Sequence, residues 1–80
     1  MDELIFDGHA REEMARDSVS EDEVYLVVGD ADVEYERRNG TTRFERMIHD
    51  GRMIVVIVED DTRIVKTVWW DKRASRRRRW

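Results

Sequence analysis

The sequence has no cysteine, no proline and only four glycines in 80 residues. Without cysteine there is no disulfide framework, no zinc–thiolate site and no thiol nucleophile, so the core must hold by packing alone, and a reducing cytoplasm suits the chain. No apolar run approaches the roughly 20 residues of a membrane span, and the N-terminus lacks the basic start and apolar stretch of a secretory signal; the expectation is a soluble, cytoplasmic protein with no membrane contact. Pro-rich and Gly/Ser-rich linkers are missing, as are internal repeats, which leaves one unit, residues 1–70, followed by a basic tail, residues 71–80. A chain this short buries only about two thirds of the surface its unfolded form exposes, which excludes a second domain or a deep cofactor cavity.

What the sequence does contain is charge, unevenly placed. Residues 1–40 carry 13 acidic and 4 basic side chains, and residues 41–80 carry 6 acidic and 11 basic ones. Thirteen of the fifteen basic residues are arginine, suited to bidentate contact with phosphate or carboxylate and equally compatible with a GC-rich or salt-adapted genome. The acidic total argues against nucleic-acid binding over the whole surface and leaves room for a local basic site.

Local signals order the elements. Leu4, Ile5 and Phe6 form a short apolar run that Asp7 and Gly8 interrupt, which suits an edge strand. A helix is expected over His9 to Asp17, with Ala10 and Met14 at the i, i+4 spacing of a narrow buried stripe. Ser20 and Glu23 fit a capping box, with Val19 and Val24 at the staple positions, so the run Val24 to Val28 is read as a helix ending at Gly29 despite its strand-like composition. From Asp32 onward the period changes to two. Asn39-Gly40 and Asp50-Gly51 are read as two-residue hairpin turns and Asp60-Asp61 as a third, giving a four-stranded antiparallel meander.

Two-residue turns would set Tyr35 opposite Phe44, Phe44 opposite Ile57, and Ile48 opposite Met53. The helices would then cover Val33, Tyr35, Phe44, Ile48, Met53, Val55 and Ile57. The other face would carry Glu34, Glu36, Arg43, Glu45, Met47, His49 and Arg52 with Ile54, Val56 and Val58. The expected fold is α+β, two N-terminal helices packed on a four-stranded antiparallel meander, with the short N-terminal strand as an addition.

The segment His9-Ala10-Arg11-Glu12-Glu13-Met14, the pair Val19-Ser20 with its capped helix, the turn-marked hairpins and the closing Ile64-Val65-Lys66-Thr67-Val68-Trp69-Trp70 resemble the small bacterial and archaeal family called domain of unknown function 4258. The likeness spans about Ile5 to Trp70. That family resembles a branch of the RelE-like toxin superfamily, whose members place helices before an antiparallel sheet and in many cases cut RNA, often on the ribosome and under control of an antitoxin. The resemblance therefore implies a metal-independent endoribonuclease that needs no cofactor, with RNA or the ribosome and a cognate antitoxin as partners. It also implies arginines where this chain has Glu13 and Asp17, so carboxylates stand here in place of cations.

Metal-free RNA cleavage needs a base, an acid and cations. His9, at a helix start and matching the family's histidine, is the first catalytic candidate, with Lys66 and His49 beside it. Their bland alternatives are a backbone-bonded helix start, an ion pair to the acidic helices and a solvated turn. Arg43, Arg46, Arg52 and the tail residues Arg76, Arg77, Arg78 and Arg79 are candidate RNA contacts; Arg46 is expected to face Val55, in a row with Lys66 if the Asp60-Asp61 turn is two residues long (a three-residue loop would swap the faces of Lys66 and Thr67), or else to pair with the acidic helices. No metal site is expected, because the histidines are far apart and the acidic runs lack calcium-loop spacing. The alternative to an enzyme is a non-catalytic protein- or RNA-interaction module of the same fold, and a structural homodimer is a third reading.

Overall fold

A computed structural model describes residues 3–72; the predicted tail contacts Arg76 to Arg79 lie outside the described residues. Seven elements follow one another: β1 (Ile5–Phe6), α1 (Gly8–Asp17), α2 (Glu21–Gly29), β2 (Val33–Glu36), β3 (Thr41–Met47), β4 (Met53–Glu59) and β5 (Ile64–Trp70). The protein is α+β, two helices on a five-stranded mixed sheet of order β1-β5-β4-β3-β2. The short N-terminal strand forms. It runs parallel to β5, pairing Ile5 with Ile64 and Phe6 with Val65, while the remaining neighbours are antiparallel.

Each helix starts where a side chain can accept an unpaired N–H. Asp7 caps α1 by accepting from the Ala10 N–H at 2.8 Å. At α2 the Ser20 hydroxyl accepts from the Glu23 N–H at 3.1 Å and the Glu23 carboxylate accepts from the Ser20 N–H at 2.9 Å, a complete capping box. Val19 and Val24 are both buried beneath it. Ser20→Ala is expected to destabilise the domain by about 0.5–2 kcal/mol; a urea titration showing no change would mean that water serves the cap equally well.

The hairpins depart from expectation by a single residue, with large consequences. Glycine comes last in a three-residue loop in both cases: Gly40 has φ +82° and Gly51 φ +86°, and the closing pairs join Arg37 N–H to Thr41 O at 2.8 Å and Ile48 N–H to Arg52 O at 2.9 Å. A turn followed by a left-handed glycine is the alternative hairpin solution to a two-residue type I′ turn. Tyr35 therefore pairs with Arg43, Arg43 with Ile57, Phe44 with Val56, and Met47 with Met53. Each one-residue slip turns a strand over.

Phe44 and Ile48 stay under the helices, but their companions are Ile54, Val56, Val58, Val65 and Val68, which with Ala10, Met14, Val19, Val24 and Val27 form the core. Val33, Tyr35, Met53, Val55 and Ile57, predicted to lie beneath the helices, share the far face with Arg43, Glu45 and Met47. Burying a valine completely is worth about 1.5–3 kcal/mol. The four such valines of β4 and β5 that lie beneath the helices, Val56, Val58, Val65 and Val68, thus outweigh any cap, and the run from Met53 to Val58 tolerates either face.

The β4–β5 connection also differs. It is Asp60 to Arg63 rather than a two-residue turn, with Arg63 at φ +64°. The register shifts within β5, Ile57 pairing with Thr67 and Val58 with Val65, so that Lys66 is the extra residue of a bulge.

Candidate nucleic-acid interface

The slipped register assembles a site that no single segment announces. On the sheet face away from α1 and α2, one cross-strand row reads Tyr35, Arg43, Ile57, Thr67 and the next reads Val33, Glu45, Val55, Trp69. The middle strand is buried here although neither helix reaches it: Val55 is inaccessible and Ile57 nearly so, flanked by the long side chains of β3 and β5. At the β2–β3 hairpin end the row opens into a depression of about 390 Å³ lined by Tyr35, Arg37, Asn39, Thr41, Arg43, Ile57, Lys66, Thr67 and Trp69.

Three cations and two aromatic rings thus line one shallow hollow. The Arg43 guanidinium lies over the Trp69 ring at 5.1 Å and donates through Nε to Glu45 at 2.6 Å, which fixes its plane. Lys66 approaches Glu59 at 3.9 Å, a loose surface pair. Arg37 has no ion-pair partner among the described residues. Asn39 accepts from the Thr41 hydroxyl at 2.6 Å, and its amide is thereby oriented at the rim. Cations with ring faces are the donor set that grips phosphate while bases stack.

Of the sequence candidates that lie among the described residues, Arg43 and Lys66 meet in this hollow and His9, His49, Arg46 and Arg52 do not. His9 stands at the start of α1, on the opposite side of the sheet, largely exposed and with Nε2 3.6 Å from Glu13. His49 sits in the β3–β4 hairpin, six strand residues or about 20 Å from the hollow. Arg46 faces Ile54 rather than Val55 and shares no row with Lys66; its guanidinium donates to the Asp30 carbonyl at 3.3 Å and lies 3.7 Å from the Asp30 and Asp32 carboxylates. Its carboxylate partners are not in the helices themselves but just past the end of α2, at the C-cap Asp30 and at Asp32 before β2.

Arg52 is a tie rather than a free cation. Its Nη1 donates to the Asp17 and Ser18 carbonyls at 2.9 Å each, its Nη2 to Glu23 at 3.2 Å and its Nε to Asp50 at 2.7 Å. Glu23, His49 and Asp50 bring three potential ligand atoms within 4.8 Å of one another, yet both carboxylates are already bound by Arg52. Burial raises the Asp50 carboxyl, but the Arg52 N–H, the guanidinium and its charge, with a smaller contribution from His49, outweigh this and hold it below the usual carboxylate range.

Sequence reasoning missed Tyr35, Arg37, Asn39, Thr41 and Trp69 as site residues. One signal was present: in β3, Arg43 and Glu45 alternate with Phe44, and a strand buries its phenylalanine before its charges. Comparison with protein-family models, curated proteins and solved structures gives no match. No helix among the described residues is long and apolar enough to cross a membrane.

Proposed function

We propose that this chain is a RelE-like, RNA-acting protein that binds single-stranded RNA in the hollow on its far sheet face, as an interaction module rather than a nuclease. The observation that carries the reading is the lining itself: Arg37, Arg43 and Lys66 for phosphates, Tyr35 and Trp69 for bases, and no carboxylate among the lining residues. Cleavage is the weaker reading because His9 and His49 stand away from Lys66, on another face and at another end of the sheet. An acid–base pair must come within about 3 Å of the protons it moves.

The test is fluorescence anisotropy with a labelled single-stranded oligoribonucleotide. Tyr35 is 52% exposed and can be removed without disturbing the core. Tyr35→Ala should weaken binding by about 1–3 kcal/mol, the usual worth of one stacked base. Arg37→Ser with Lys66→Ser should lower affinity for all sequences alike and reduce the log–log salt slope by about 0.7 per lost phosphate contact. His9→Ala and His49→Ala should change nothing. Affinity indifferent to Tyr35, Arg37 and Lys66 would remove the hollow from the account, and RNA cleavage lost in Lys66→Ala would restore the nuclease.

A further inference from the structure

The two edges of the sheet are finished differently. On the β5 side, β1 covers Ile64 and Val65, and α1 supplies acceptors for N–H groups beyond them, those of Val68 and Trp70. Along β2 no such cover exists among the described residues. The bond from Arg37 N–H to Thr41 O fixes the alternation, which turns the N–H and C=O groups of Val33 and Tyr35 towards β3 and those of Glu34 and Glu36 outwards. These outward groups have no hydrogen-bond partner among the described residues. An open edge of this kind is a template for a further strand.

Charge decides what that strand is. Glu34 and Glu36 project on one face, and Val33 and Tyr35, 44% and 52% exposed, on the other. A second copy of this chain fits badly. Two-fold antiparallel pairing centred on Val33 sets Asp32 against Glu34, centred on Glu34 sets that residue against itself, centred on Tyr35 sets Glu34 against Glu36, and centred on Glu36 again sets like against like. Like charges directly opposite are destabilising in every case. Opposite charges in the same positions are favourable.

We propose that the outer edge of β2 receives an extended basic segment of a partner protein as a sixth strand, its lysines or arginines opposite Glu34 and Glu36 and its intervening apolar residues against Val33 and Tyr35. The inference stands independently of the RNA reading, since the two carboxylates would repel a phosphate chain.

The experiment uses the full chain and a short synthetic peptide of alternating lysine and valine. Three comparators accompany it: the glutamate–valine counterpart, a lysine–valine peptide N-methylated at alternate backbone nitrogens, and the chain carrying Glu34→Lys with Glu36→Lys. The lysine–valine peptide is expected to bind and to slow hydrogen exchange at the Glu34 and Glu36 amides. N-methylation should weaken it by about tenfold or more, because charge is kept and the ladder is lost. The double charge reversal, at exposed positions, should transfer preference to the glutamate peptide. No binding, equal binding of the methylated peptide, or protection elsewhere than β2 would overturn the proposal, as would dimerisation of the free chain through this edge in sedimentation. Because Arg37→Ser and Lys66→Ser report on RNA and the glutamate reversals report on the edge, while Tyr35 is shared by both, the cation and glutamate variants let either reading fail alone.

Discussion

Arg52→Ala is expected to destabilise the domain by about 3–5 kcal/mol, a large share of the 5–15 kcal/mol that a domain normally has. The side chain is only 13% exposed, and it ties both helices to its own hairpin. It supplies donors to the carbonyls that end α1, to the Glu23 carboxylate of the α2 capping box and to Asp50 of its own hairpin, and it lies over Trp70 at 5.7 Å. Truncation leaves Glu23, itself half-buried, without its cation, and most of the expected loss lies there. Arg52→Lys should recover only a fraction, since one ammonium cannot donate in four directions from a planar fork. Urea unfolding measures both. Because the Asp50 carboxyl is lowered on folding, its contribution is present above the ordinary value of about 3.9 and is lost as pH falls through the lower folded value. Arg52→Ala should therefore also flatten the acid side of the stability profile, and RNA affinity should be unchanged where the protein remains folded.

The local signals were legible because they are local. Ser20 and Glu23 determine a cap within one turn, and a glycine after Asn39 or Asp50 marks a reversal. Register was not, because both dipeptides suit a two-residue turn and the three-residue loop that forms. The choice is made by tertiary energy: only the longer loops let Phe44 join Val56 and Val68 beneath the helices. Strand β4 could not arbitrate. Its run from Met53 to Val58 is buried on both faces and reads the same in either register.

The site was hidden for the same reason. Tyr35 and Trp69 look like core residues until the slip places them beside Arg43, and the bulge at Lys66 answers to no turn signal. Arginine by itself was a poor guide. Arg43, Arg46 and Arg52 lie within ten residues, yet one stacks on an aromatic ring at the far face, one holds the end of α2 and one ties two helices to a hairpin. What separates them is the acceptor each finds after folding, which sequence spacing does not encode.

The acidic stripe of α1 gives the second large effect. Glu13 accepts the Val68 N–H at 3.2 Å and Asp17 accepts the Trp70 N–H at 3.0 Å. The match is geometric: four helical residues rise about 6 Å and two strand residues about 6.7 Å, so carboxylates at i and i+4 meet alternate amides of an adjoining strand. This is where the family likeness implies arginines, which have no acceptor to offer and would leave both amides open. Each buried donor left unpaired costs about 1–3 kcal/mol, so Glu13→Ala with Asp17→Ala should cost about 2–6 kcal/mol in urea unfolding and speed exchange at the Val68 and Trp70 amides. Glu13→Gln with Asp17→Asn keeps a carbonyl oxygen at each position and should retain most of the stability. Glu13→Arg with Asp17→Arg should be at least as damaging as alanine. If instead the arginine pair is tolerated and exchange at the two amides is unchanged, water serves the β5 edge, and the carboxylates of α1 are surface charge with no part in holding the sheet.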